Sequence, residues 1–327
     1  MLSSLKLYLC KELHATWLPV QYQFDNQTSV YNMVKELTTI GINRVYVDVW
    51  NQGKLYFKSD TMDNFVNNGE GTSDDYLLWT LEAAQKINQE NNNIDEIEVF
   101  AWFEYGLIAA YGSINNDFAR EAEQKGWILG QEGQGFVWMD PDNSDVLSFL
   151  VNIMNDCWIN YSSQFQNFKG LQLDDHFSSP VSLGKTKESM DNAMKYLNEN
   201  LKFNNNMLLS LSPSTLSQAL NTYNVDWNYW GNNDWYREVI PQLYRSTYED
   251  YKSILDITYN SVSDKTKQYF VASGIRVDGS GEPTSWKDVA AMIELTSSPL
   301  YNNMGESIWY ARGIIELYPT QFKHIWG

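Results

Sequence analysis

The sequence predicts an α/β fold, a (β/α)8 TIM barrel forming a single domain over residues 1–327 with elaborated βα loops. Three observations carry that expectation. Eight short apolar runs recur along the 327 residues. Longer stretches with helical periodicity separate them. The turn after the first run reads Trp17-Leu18-Pro19-Val20-Gln21-Tyr22-Gln23, without the glycine-rich phosphate loop of an open doubly wound sheet. Apolar strands that alternate with helices build parallel β-α units, and eight such units close into a barrel.

In chain order, the apolar runs predict strands over 15–20, 44–49, 98–103, 170–174, 208–212, 239–243, 270–274 and 306–310. Helical patterns fill 29–40, 74–88, 144–161, 187–203, 248–262 and 286–296. The segment Asp142-Asn143-Ser144-Asp145 precedes an apolar-periodic stretch and reads as a helix start. Asn-rich patches such as Asn91-Asn92-Asn93 and Asn204-Asn205-Asn206 read as loops.

Composition narrows the chemistry. Forty-one acidic against 23 basic side chains give a formal net charge of −18, which disfavours nucleic acid and anionic membrane surfaces as partners. Aromatic residues make up 15% of the chain, far too many for a disordered acidic segment. Part of these rings fills the core; the remainder, set beside carboxylates, suits a cleft that handles sugars. No apolar run approaches the length of a membrane span. The first ten residues lack the apolar centre and small-residue cleavage site of a secretory signal. Two cysteines, Cys10 and Cys157, imply no disulfide framework, and His14, His176 and His324 are too scattered for a histidine-based metal site. No cofactor and no metal are expected.

In a barrel the chemistry sits where strands end. The second run ends in Asp48-Val49-Trp50-Asn51, the third in Glu104-Tyr105-Gly106, and the fourth in Asp174-Asp175-His176-Phe177. The sixth supplies Gln242, Tyr244 and Arg245; the seventh leads to Asp278; the eighth contains Glu306 and ends near Trp309. Adjacent acids at a strand end point to opposite sides, so only one of Asp174 and Asp175 faces the mouth squarely. Glu104 follows the apolar run Phe100-Ala101-Trp102-Phe103 and stands at a dry rim, where desolvation raises a carboxyl pKa and suits it to general acid work. The catalytic candidates are therefore Glu104, Asp174 and Asp175. The candidates for substrate contacts are Asp48, Trp50, Tyr105, His176, Gln242, Tyr244, Asp278, Glu306 and Trp309.

Several segments resemble the glycosyl hydrolase-like family 10 of bacterial proteins. They are Trp102-Phe103-Glu104-Tyr105-Gly106-Leu107, Trp138-Met139-Asp140-Pro141, Leu171-Gln172-Leu173-Asp174-Asp175-His176-Phe177, Leu209-Ser210-Leu211-Ser212-Pro213 and Ile240-Pro241-Gln242-Leu243-Tyr244-Arg245. With Ala15-Thr16-Trp17-Leu18 and Gly41-Ile42-Asn43-Arg44-Val45-Tyr46 they follow in order through most of the chain. The resemblance implies a barrel that cleaves glycosidic bonds of an exopolysaccharide or of peptidoglycan glycan, with Glu104 and Asp174 at the family's acidic positions. It also implies action outside the cytoplasm, since such relatives are usually exported. Asp48 departs from the pattern, because many relatives carry Gln there.

Two rival readings remain at this level. One is a non-catalytic sugar-binding barrel that recognises a surface receptor. The other is a metal-dependent hydrolase of cell-wall amide or ester bonds, with Asp48, Asp174, Asp175, His176 and Asp278 as ligands. A serine hydrolase of the nucleophile-elbow type is set aside, because no Gly-x-Ser-x-Gly occurs.

Overall fold

The computed structural model describes residues 12–20, 26–66, 74–91, 96–202, 207–262, 273–279, 281–301 and 304–327. Eight parallel strands form one curled sheet: β1 His14–Leu18, β2 Arg44–Asp48, β3 Glu98–Phe103, β4 Phe168–Asp174, β5 Leu208–Ser212, β6 Glu238–Val239, β7 Ser273–Arg276 and β8 Glu306–Trp309. Their order is β6-β5-β4-β3-β2-β1-β8-β7. A parallel bridge between Gln242 and Gly274 joins the two ends, so the (β/α)8 barrel is closed. At this seam the backbones come together tightly. A Cβ on Gly274 would stand 2.9 Å from the Pro241 carbonyl oxygen, which accepts the Gly274 N–H.

All eight strands lie where the apolar runs place them, with two shifts. β6 is only two residues long rather than spanning 239–243, because Pro241 has no N–H to continue the ladder. β7 begins at Ser273, while 270–272 lie outside the described residues, as do Cys10, Asn92, Asn93 and 204–206. The six expected helices are present, as Gln27–Ile40, Tyr76–Glu90, Ser144–Ser162, Lys187–Asn200, Tyr248–Ser261 and Trp286–Thr296. Asn143 caps the third of these by accepting the Asp145 N–H. The structure adds a three-stranded antiparallel sheet, Ile108–Tyr111, Ile128–Gln131 and Phe136–Met139, in the excursion after β3. No helix among the described residues is long and apolar enough to cross a membrane.

Register decides which side chains enter the barrel, because paired residues of neighbouring strands share a face. Arg44 pairs with Ala15 and Glu98, Trp102 with Asp48 and Gln172, and Asp174 with Ser212. The interior therefore holds Trp17, Tyr46, Phe100, Trp102 and Ile240, separate from the larger cluster between strands and helices. Polar side chains thread through this interior as one hydrogen-bonded chain. Trp17 Nε1 donates to Gln172 Oε1 at 2.8 Å, Gln172 Nε2 to Ser210 Oγ at 3.0 Å, and Ser210 Oγ to Glu238 Oε1 at 2.7 Å. Tyr46 OH donates to the same Glu238 oxygen at 2.9 Å, and Arg44 spans Glu238 and Glu98, with its Nε 2.8 Å from Glu98 Oε2.

Removing the cation from such a cluster strands its acids in a medium that solvates them poorly. Arg44→Met is expected to cost about 3–5 kcal/mol of stability, read as a lower midpoint in urea unfolding. An unchanged midpoint would show that the cluster does not hold the strands together.

Candidate active site

The C-terminal ends of β2, β3 and β4 bring three carboxyl groups to one mouth. Asp48, 1% exposed, is the last residue of β2. The chain then reverses in a tight hairpin, Trp50–Asn51 against Lys54–Leu55, whose turn residues Gln52 and Gly53 take φ of 48° and 73°. That hairpin returns Asn51 over the mouth. Its Nδ2 donates to Asp48 Oδ2 at 2.8 Å and also to Glu104 Oε2. Asp48 Oδ2 additionally lies 3.4 Å from the Val20 N–H, whereas Oδ1 is buried with no partner among the described residues.

Glu104 follows β3 directly and is half-buried as a residue. The turn behind it is fixed by Gly106, at φ 45°, where a Cβ would stand 2.6 Å from the Phe177 nitrogen. The β3 turn and the β4 turn are thus pressed together. His176 Nδ1 lies 3.1 Å from the Glu104 carbonyl oxygen. A carbonyl can only accept, so Nδ1 carries the proton. The same nitrogen is 3.7 Å from Asp174 Oδ2 and 3.9 Å from Asp175 Oδ1. Asp174, 8% exposed, receives Gln242 Nε2 on Oδ1 at 2.8 Å. Asp175, in the turn just beyond β4, accepts Ser214 Oγ at 2.8 Å on Oδ2 while its Oδ1 stays beside His176.

Burial, first of all, pushes the Asp174 carboxyl well above the ordinary carboxylate range, and the charges of Asp175 and Glu104 push it further. Asp48 is raised well by the same enclosure and then by Glu104. Glu104 is raised by burial, offset in part by its hydrogen bond with Asp48 and by His176. Among the described residues no Lys or Arg forms an ion pair with any of these acids. The mouth therefore holds neighbouring carboxyls, each of which makes ionisation of the others harder.

The structure brings Asp48, Glu104, Asp174, Asp175, His176 and Gln242 together, with Tyr244 and Trp309 beside them. The Tyr244 and Trp309 rings lie 6.0 Å apart, and Trp309 meets Trp102 edge-on at 5.8 Å. Tyr105, 6% exposed, sets its ring edge-on to His176 at 6.1 Å. Three expected contacts fall elsewhere. Trp50 is fully buried behind the hairpin, with its Nε1 on the Gly106 carbonyl and its ring against Phe118, so it offers no face to a sugar. Glu306 stands at the opposite end of the barrel: it opens β8 on the helix-facing side, bonded to His14 Nδ1 at 2.8 Å and Thr296 Oγ1 at 3.1 Å. The Asp278 carboxylate is engaged by Arg312 NH1 at 3.0 Å. Asn51 was not singled out from sequence, although the Asn51-Gln52-Gly53 turn signal was there to read.

Asp174, Asp175 and His176 offer ligand atoms within 4.8 Å of one another, the spacing a cation requires. The nitrogen nearest both carboxylates, however, is the protonated Nδ1. A metal at that point would have to displace the proton and the bond to Glu104, so the donor set does not fit a preformed metal centre.

A profile of the family described as glycosyl hydrolase-like 10 matches residues 12–200. Among solved structures, the fold is similar to the PgaB (BpsB) glycoside hydrolase domain from Bordetella bronchiseptica, with TM-score 0.64 over 96% of this chain and 98% of that one at 10% identity. It is also similar to the catalytic domain of β-amylase from Paenibacillus polymyxa, with TM-score 0.61, 93% of each chain covered and 9% identity. GH36 α-galactosidase AgaA from Geobacillus stearothermophilus aligns at TM-score 0.55 and 12% identity, over 95% of this chain and 40% of that one. No curated protein sequence matches the chain significantly.

The raised acids carry a stability consequence. Where the folded pKa exceeds the unfolded one, the native state binds the extra proton, so stability is full below the unfolded value and falls as pH rises through the folded one. Asp174→Asn keeps an acceptor for Gln242 and removes the charge. It is expected to stabilise the protein at pH 7 by about 1 kcal/mol, with the gain disappearing below about pH 4. Urea unfolding at the two pH values checks this; a loss of stability at neutral pH would mean that the carboxylate is favourably held.

Proposed function

The chain belongs to the glycosyl hydrolase-like 10 family, and on that premise we propose that it hydrolyses glycosidic bonds of a polysaccharide through two carboxylates and an oxocarbenium-like transition state. The whole of 1–327 is proposed as one catalytic domain, acting on an oligo- or polysaccharide without a cofactor, outside the cytoplasm. One observation carries this reading. Glu104 and Asp174 stand at one mouth, each anchored by a side-chain amide, with their charges close enough that Glu104 raises Asp174.

Glu104 is the proposed general acid. Enclosure favours its protonated form, the form that protonates a leaving oxygen. Asp174 is the proposed second carboxylate, acting as nucleophile or as base toward water. It ionises for that task once the proton of the cluster rests on Glu104 or Asp48. Gln242 fixes the Asp174 carboxyl, while Asp175 and His176 adjust the charge around it. Tyr244 and Trp309 supply ring faces for the sugar.

The charge of the mouth favours a neutral or amino-sugar glycan, such as peptidoglycan glycan or an amino-sugar exopolysaccharide. The nearby arginines are committed elsewhere: Arg312 to Asp278 and Glu316, and Arg245 to the Tyr244 carbonyl. Among the described residues, an acidic polysaccharide would meet the like charge of Asp48, Glu104, Asp174 and Asp175 at the mouth.

The test is a screen of cell-wall glycan and amino-sugar exopolysaccharides for new reducing ends. Glu104→Gln and Asp174→Asn are each expected to lower kcat by about 10²–10⁴-fold, the range of positioned proton transfer, while circular dichroism stays unchanged. Wild-type turnover by both variants would remove the assignment. Saturable glycan binding without any new reducing ends would instead favour the sugar-binding barrel.

A further inference from the structure

The excursion after β3 does more than fix Glu104. In its three-stranded sheet Tyr111 pairs with Phe136, and Trp138 lies two residues beyond Phe136, so all three rings share one face. That face leads away from the carboxyl groups. The Phe136 ring centroid is 4.9 Å from that of His176, and the Tyr111 ring is 5.2 Å further out and 50% exposed. Across from them stands Tyr223, at the end of the helix Leu216–Tyr223, with its OH 3.4 Å from Gln134 Nε2 and its ring 6.3 Å from Trp138. Asp175 and Glu132 both act on the Tyr223 hydroxyl, which places Tyr223 between the acid cluster and the outer rings.

Two polar atoms along this strip are unsatisfied. Glu132 Oε2 accepts the Gln134 N–H at 2.7 Å, but among the described residues Oε1 is buried without a partner, and so is Nε1 of Trp138, a residue 1% exposed. Buried polar atoms without a partner are rare in native proteins and call for one.

We propose that this strip, formed by Tyr111, Glu132, Phe136, Trp138 and Tyr223, is a remote glycan subsite that binds a sugar residue further along the chain from the one held at Glu104 and Asp174. The inference rests on the hydrolase reading and deepens it, because a subsite outside the reacting centre makes the enzyme one that prefers long chains. Tyr111 and Phe136 present ring faces to the apolar faces of that sugar. Glu132 Oε1 accepts from one of its hydroxyl or ammonium groups, while Trp138, 1% exposed, backs the strip from beneath without touching the sugar.

Binding of β-linked glucosamine oligomers of two and six residues, followed by tryptophan fluorescence, tests this in the Glu104→Gln background, where nothing is cut. The hexamer is expected to bind tighter than the dimer, and adding Tyr111→Ala should weaken the hexamer by about 3–10-fold while leaving the dimer unchanged. Tyr111→Phe should restore the parent affinity. Equal affinity for both lengths in the parent, or a Tyr111→Ala effect that is absent or independent of length, overturns the subsite. Length-dependent binding by a wild-type protein that releases no reducing ends would retain the subsite and discard the hydrolase reading.

Discussion

A buried arginine bridges two acids at the floor of this barrel, and the polar chain built on it reaches six of the eight strands. From Trp17 on β1 through Gln172, Ser210 and Glu238 to Tyr46 and Arg44 on β2 and Glu98 on β3, each link is a hydrogen bond formed away from bulk water. Such a network specifies a register as well as adding energy, because a one-residue slip of any strand would turn its member out of the interior. The floor thus sets the phase of the strands. That phase then decides which residues stand at the top.

What stands at the top is the opposite electrostatic arrangement. The same inward phase that carries Arg44 and Tyr46 places Asp48 at the end of β2, and the phase that carries Gln172 places Asp174 at the end of β4. No ion pair with Lys or Arg accompanies these acids among the described residues. Amides serve in place of cations: Asn51 bridges Asp48 and Glu104, and Gln242 holds Asp174. An amide fixes position and satisfies a lone pair without neutralising charge, so like-charge repulsion persists in a place of poor solvation. A fold tuned only for stability would not keep it. Strain of this kind concentrates at functional sites, where the surrounding structure holds it in place.

Much of this was legible in the residues, and the misses have physical reasons. The run Val99-Phe100-Ala101-Trp102-Phe103 is continuous and apolar because both faces of a parallel strand are covered, and the strand forms as expected. The acid pair Asp174-Asp175 announced the β4 end, and strand alternation does not part the two, because Asp175 already lies in the turn and both carboxylates stay by His176. Glu306 was misplaced because an acid inside an apolar run reveals neither its face nor its end, and here it meets His14 behind the sheet. Trp50 was misplaced because strand alternation stops at Asp48, where the hairpin redirects the chain inward. The three-stranded sheet went unseen because its pairings carry bulges at Ile108/Ala110 and Ile128/Gly130, which break the period of two that a strand otherwise shows.

The central claim is that neighbouring carboxyls at the mouth make one another harder to ionise. Carbon-13 titration of the labelled Asp and Glu side chains measures it most directly. The expected result is that Asp48 and Asp174 titrate well above the ordinary aspartate value of about 3.9, and that Glu104→Gln moves the Asp174 midpoint downward. Midpoints for Asp48, Glu104 and Asp174 all between about 3.5 and 4.5, with that of Asp174 unaffected by the substitution, would contradict it.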